Sequence, residues 1–208
     1  QELVTDTGEG DGIAQTAYLQ SIDATGRESM FYGYDDDDVA TPVDDQTHML
    51  DLCLLCEQYG VEVLATDYCW TQGKVDNSYL VNAQNGFISF AADERNLNNI
   101  PGYPAAPNNV NSDDITLISQ AKNFLYLINS ENFATKQDFI NAVAATNFGV
   151  IIMDLYHNEV AYTANEINAL KTKQNSGTRM VLAYMSIGEA EDYRAYWQSS
   201  WDSNPPQW

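Results

Sequence analysis

The stretch Tyr184-Met-Ser-Ile-Gly-Glu-Ala-Glu-Asp-Tyr-Arg194 gathers Glu189, Glu191, Asp192 and Arg194 within six residues. Gly188 lets the backbone turn just before them. The apolar run Arg179–Ala183 precedes the cluster, which places it at the carboxyl end of a predicted strand. Acids crowded at such an end suit carbohydrate cleavage in a barrel, where one carboxyl protonates a leaving oxygen and a second acts as base or nucleophile. The spacing has a second reading. Ser186 and Glu189 lie three apart and make a capping box at a helix start.

The pattern recurs along the chain. VEVLATDY (61–68) reads as a buried strand reaching Asp67, and GVIIMDLY (149–156) as one reaching Asp154. Glu28 opens ESMFYGY (28–34), which reads as a fourth strand with its connection. Apolar strands buried on both faces, each delivering a polar group at its carboxyl end, describe a (β/α) barrel or a doubly wound sheet. No glycine-rich phosphate fingerprint follows any of these strands, which argues against nucleotide binding. Tyr32, Tyr34, Tyr68, Trp70, Tyr156, Tyr184, Tyr193 and Trp197 flank the acids. Sugars stack on such rings, and such rings also pack ordinary cores. The run Asp35–Asp38 offers oxygen ligands for calcium, but it lacks the EF-hand pattern and reads as a solvated loop.

Alternating elements must position these groups, so the fold class is α/β. Residues 45–59 carry helical spacing through Met49, Leu52, Cys53 and Cys56, and stop at Gly60. FISFAA (87–92) and KNFLYLIN (122–129) read as strands, and 135–146 as a helix. Thr163 and Glu166 form a capping box for a helix running to about Gln174 and stopping near Gly177. RMVLAYMSIG is the next strand, and a last helix holds Tyr193, Tyr196 and Trp197. The segment 99–113 has three prolines and several asparagines and is the one linker-like stretch.

The 208 residues are 44% hydrophobic and 12% aromatic, enough for a substantial core in one domain or parts of two. Nine basic residues against thirty acidic ones leave a net charge of −21, the wrong sign for nucleic acid. The acidity fits a solvated surface, and also an attraction for a cationic polymer of amino sugars. No apolar run approaches a membrane span and no signal peptide stands in the chain. Cys53, Cys56 and Cys69 are too few and odd in number for a disulfide framework, and read as buried thiols. His48 and His157 are isolated, so neither a metal nor a cofactor is expected.

YMSIGEAEDYRAYW (184–197), NFLYLIN (123–129), IIMDLY (151–156) and GRESMFYGY (26–34) resemble the endo-α-1,4-polygalactosaminidase family, glycoside hydrolase family 114. The resemblance runs through nearly the whole chain, and SIGEAEDYR is its most specific motif. It implies a TIM-like (β/α) barrel. In single-barrel relatives the NFLYLIN-, DLY- and SIGEAEDYR-like strands come first to third, whereas here they fall in 122–208. Residues 1–98 resemble strands six to eight, and 99–121 form the connection. A permuted barrel, an incomplete one or the junction of two tandem barrels accounts for that order. TIM barrels typically need about 250 residues. The fourth and fifth strands of the family are not found here, and the expectation is that something fills their place.

The resemblance also implies two catalytic carboxylates, an aspartate on the fifth strand and a glutamate on the seventh. Glu28 matches the glutamate and is the expected general acid/base. Asp154, Tyr156, Tyr184, Glu189, Glu191 and Arg194 are expected to bind substrate, and Asp67 to hold the site electrostatically. Arg194 can also pair with Glu191 or Asp192. The expected partner is a polysaccharide or oligosaccharide, cationic if it is α-1,4-linked polygalactosamine, met outside the cell or in the periplasm. A non-catalytic glycan-binding barrel and a structural protein are the alternatives.

Overall fold

The computed structural model describes residues 2–186, 192, 194 and 196–206, Glu2 through its backbone alone. Helix α1 (Thr16–Leu19) leads into strand β1 (Ala24–Glu28), helix α2 (Val43–Gln58) and strand β2 (Glu62–Tyr68). Helix α3 (Gln72–Gln84) returns the chain to strand β3 (Ile88–Ala92). The second half runs through β4 (Phe124–Leu127), α4 (Lys136–Ala144) and β5 (Val150–Asp154). A small hairpin follows, β6 (Tyr156–His157) and β7 (Val160–Ala161), then α5 (Ala164–Leu170) and β8 (Met180–Tyr184).

The fold is mixed α/β, with parallel sheets β1-β2-β3 and β4-β5-β8. Among the described residues no ladder joins β3 to β4 or β8 to β1, so the strands do not form a closed barrel. The two sheets nevertheless share one core. Phe90 of β3 packs on Phe124 of β4 with ring centroids 5.8 Å apart, and on Phe148 at 6.2 Å. Burying one such ring contributes about 1.5–3 kcal/mol relative to leaving it in water.

Strands β2 to β5 are covered on both faces, which is why they read as near-continuous apolar runs, whereas the edge strands β1 and β8 are partly exposed. Leu125, Leu127, Ile151 and Met153 meet Phe139, Ile140 and Val143 of α4 and Leu170 of α5. Val63 and Ala65 of β2 meet Met49, Leu52, Cys53 and Cys56 of α2. The three cysteines are buried and form no disulfide. Helix α2 ends at the expected Gly60, whose φ of +75° suits a residue without a side chain. The capping box of Thr163 and Glu166 starts α5, which ends at Leu170, short of Gln174.

Three elements differ from expectation. The first strand occupies Ala24–Glu28, not 28–34, because Ser29 at φ +57° turns the chain out of the sheet. Met30 and Phe31 are buried in the cluster built by α2 and β2. Helix α3 lacked an apolar stripe in the sequence. It buries Ser78 and Asn82 beside Val75 and Tyr79, so its inner face is half polar. The expected helix around Tyr196 and Trp197 is absent at those described residues, and a short 3₁₀ turn forms at Ser199–Asp202. The linker-like segment is strapped down: Lys173, itself buried, donates to the backbone oxygens of Asn111 and Asp113 at 3.0 and 2.6 Å.

Candidate functional site

Neighbouring residues of a strand point to opposite faces, and residues in register on parallel neighbours point to the same one. Glu28, Thr66 and Phe90 are in register across β1, β2 and β3. Asp154 is in register with Tyr184 across β5 and β8. Side chains from both edge strands, Glu28 of β1 and Leu182 of β8, line one cavity of about 430 Å³ with Leu64, Thr66, Tyr126 and Ile152. The rim of that cavity, where the strands end, collects Glu28, Tyr68, Tyr126 and Tyr184.

Glu28 is exposed. Its negative charge acts on the phenols of both Tyr68 and Tyr126. Burial, then the negative Glu28, push the Tyr68 phenol well up, while Arg95 pulls the other way; Tyr68 remains a donor. Burial, Glu28 and Tyr184 together push Tyr126 up to about 12. The guanidinium of Arg95 lies 4.0 Å from the centre of the Tyr68 ring. Among the described residues Glu28 itself is in no ion pair.

The loop after β1 is built onto the end of β2. Tyr68 N–H donates to Tyr32 O, and Asp38 N–H to Tyr68 O, at 3.1 and 2.9 Å. Gly33 sits at φ +99°, and a Cβ there would fall 2.7 Å from Tyr68 Cβ. Only glycine fits that approach without displacing the tyrosine. The acidic run 35–38 is structural in part. Asp37 accepts from Arg95 Nε at 2.9 Å, and Arg95 also donates to Gly33 O. Asp38 accepts from the backbone of Trp70 and Thr71 at 3.0 Å each and pairs with Lys74, which fastens the start of α3.

Asp67 departs from the role expected for it. It points away from Glu28's face and is wholly buried. Its two oxygens accept from Phe31 N at 2.8 Å, Tyr32 N at 3.1 Å, Ser78 Oγ at 2.6 Å and Asn82 Nδ2 at 3.0 Å. With its acceptor sites turned inward, it joins the Glu28 loop to α3. Burial pushes its carboxyl up, against the pull of those donors.

Asp154 and Arg194 form the second group on the rim. Arg194 donates Nη1 and Nη2 to the two Asp154 oxygens at 2.8 and 2.6 Å, a fork-on-fork pair. Its guanidinium stacks 4.5 Å from the Tyr156 ring centre. Asp154 also receives the backbone N–H of Tyr156 at 2.8 Å, which turns the chain into the hairpin. The expected substrate ligands Asp154, Tyr156 and Arg194 therefore come together, bonded first to one another. Glu189 and Glu191 lie outside the described residues.

Sequence reasoning missed Tyr126 and Arg95. Tyr126 had a signal, since it interrupts the apolar inner face of NFLYLIN between Phe124 and Ile128. A larger depression of about 880 Å³ lies elsewhere, against Leu3, Asp6, Glu9, Tyr18 and His48. It offers only an exposed His48–Glu9 contact of 3.2 Å, with no converging set of reactive groups. Among the described residues no three His, Cys, Asp or Glu side chains gather around a metal-sized site, and no helix is long and apolar enough to cross a membrane.

No protein-family model matches the chain, and no solved structure matches it. It is similar to an uncharacterised protein of Methanocaldococcus jannaschii, 36% identical over 129 residues that cover 59% of this chain and 34% of that protein. An uncharacterised protein of Deinococcus radiodurans is 33% identical over 73 residues, 35% of this chain and 22% of the relative. One of Thermotoga maritima is 30% identical over 66 residues, 32% and 20% of the two chains. The chain thus spans about a third or less of the length of these curated relatives.

Proposed function

We propose that this chain contributes the acid/base side of a glycoside hydrolase-like site acting on an amino-sugar polysaccharide, with α-1,4-linked polygalactosamine as the leading candidate. One observation carries the reading. Glu28 is a solvent-facing carboxylate at a strand's carboxyl end that lines a cavity with Tyr126, and it is paired with no cation among the described residues. A carboxyl in that state is available to exchange a proton with a glycosidic oxygen, or to meet a substrate ammonium. Arg95 and Arg194 are each matched by a carboxylate, so these two cations do not oppose a cationic polymer.

The same reading takes the two parallel sheets as an arc of a TIM-like (β/α) barrel. The shared core between β3 and β4, and the cavity lined by both β1 and β8, support it. It takes the protein to work outside the cell or in the periplasm, where such polymers are met. Tyr184 and Tyr126 would stack on or hydrogen-bond to sugar rings, and Asp154 with Tyr156 and Arg194 would shape the opposite wall.

A non-catalytic glycan-binding barrel is favoured by one feature. Asp154, the other described carboxylate on this rim's inner face, is committed to Arg194. A two-carboxylate mechanism then draws its second group from elsewhere. Activity of the full-length protein on polygalactosamine and other amino-sugar glycans decides between the readings. Glu28→Gln is expected to reduce turnover by about 100-fold or more. Normal turnover by that variant sinks the role of Glu28, and binding without product release favours the non-catalytic reading.

A further inference from the structure

Gly26 interrupts β1 without a backbone reason. It lies inside the strand, in register with Leu64 of β2, and its φ is not in the positive region that calls for glycine. A glycine at such a place weakens a strand and marks where a ligand or another backbone comes close. A Cβ on Gly26 would meet nothing within 4 Å. The space belongs to the cavity of about 430 Å³ that β1 and β8 both line. That size falls in the range of small-molecule sites, roughly 300–1,000 Å³. The floor is apolar, made by Leu64, Phe124, Ile152 and Leu182, with hydroxyls from Thr66 and Tyr126. Alternation along β1 places Glu28 on the same face as Gly26, exposed at the strand's end and in no ion pair among the described residues. An ammonium cannot be buried on such a floor without a partner. A ligand with an uncharged face, hydroxyls and one positive charge therefore fits in one sense only, charge outward.

We propose that Gly26 is a specificity-determining residue: its missing side chain keeps open a pocket that takes one residue of an amino-sugar chain, the uncharged ring face on the apolar floor and the ammonium toward Glu28. The proposal rests on the reading of the substrate as an amino-sugar polymer, and adds where one sugar sits and which way it faces. The strand gives up local stability at Gly26, and the pocket gains its depth there.

The test is NMR of the intact chain titrated with a galactosamine oligosaccharide, with an α-1,4-linked galactose oligosaccharide as the uncharged control. In the wild type, shifts are expected at the Gly26 amide and at the methyls of Ile152 and Leu182, with the galactosamine chain bound more tightly than the galactose one. Gly26→Val puts a β-branched side chain into open space in a strand, so its urea midpoint is expected at or above that of the wild type. Its affinity for the galactosamine chain is expected to fall by about ten-fold or more, the scale of a few methyl groups in a fitted pocket. Gly26→Ala is expected to fall between the two, and keeps the test open should valine disturb the fold. Glu28→Gln is expected to bring the affinity for the galactosamine chain down toward that for the galactose chain. Unchanged affinity in a folded Gly26→Val, or wild-type shifts that miss Gly26 and Ile152, overturns the pocket. Equal wild-type binding of the two sugars overturns the orientation toward Glu28. Binding and hydrolysis are read separately: a wild type that binds at Gly26 without turnover upholds the pocket and sinks the glycosidase reading alone.

Discussion

Arg194 grips Asp154 through two hydrogen bonds of 2.8 and 2.6 Å, across 40 residues of sequence. The contact ties the segment after β8 to the end of β5. Both side chains are largely withdrawn from water, at 8% and 18% exposure, so neither charge is well hydrated once the other is removed. Arg194→Met is expected to lower unfolding stability by about 2 kcal/mol in urea denaturation. The loss should persist at high salt, because a buried pair is little screened. A wild-type urea curve for the variant would show that the pair carries no net stability.

Asp67 makes a prediction of opposite kind, since among the described residues it has no counter-cation. Removing it in Asp67→Ala orphans donors from Phe31, Tyr32, Ser78 and Asn82, at an expected loss of about 3 kcal/mol or more. Burial raises its folded value above the 3.8 of a free aspartate, so the folded state takes up the proton first as pH falls. The stability this contributes is complete below about pH 4 and is lost as pH rises through the folded value. Denaturation at several pH values should show the wild type gaining stability on acidification from neutrality relative to Asp67→Asn. Parallel pH dependences of the two proteins would contradict this.

Asp38 behaves the other way round. Burial opposes its charge, but the donors of Thr71, Lys74 and Trp70 outweigh burial and hold the carboxyl far below the usual carboxylate range. Its contribution is present above about pH 4 and is lost as pH falls toward the folded value. Asp38→Asn is expected to lose about 1–2 kcal/mol at pH 7, much of it from the start of α3. The gap from wild type should shrink in denaturation at pH 2.5. An undiminished gap there would place the effect in backbone strain at Asp38, whose φ is +59°.

The placement of the cations was only partly legible. Lys74, Arg95, Lys136, Lys173, Arg179 and Arg194 each fasten one element to another. In a chain with thirty acids and nine bases, every base has many possible partners. Spacing suggested Glu191 or Asp192 for Arg194; it did not suggest the fork that Arg194 makes on distant Asp154. The same limit hid α3. Its cap comes from Asp38, 33 residues before Thr71, and its buried face is chosen by Asp67. No local pattern in QGKVDNSYLVNAQ records either partner.

The sequence by itself determined the α/β class, most strands, the stop of α2 at Gly60 and the capping box of α5. These follow from short-range causes: apolar runs, backbone freedom and caps within a turn. Tertiary structure alone decided which acids stand where. Asp67 and Glu28 both lie at strand ends and look alike in a list of residues. The alternation of β2 sends Asp67 into a cage of donors, while Glu28 faces the cavity under Tyr68. Arg194, beyond β8, likewise meets Asp154 of the neighbouring strand, a partner brought close in space and not in sequence.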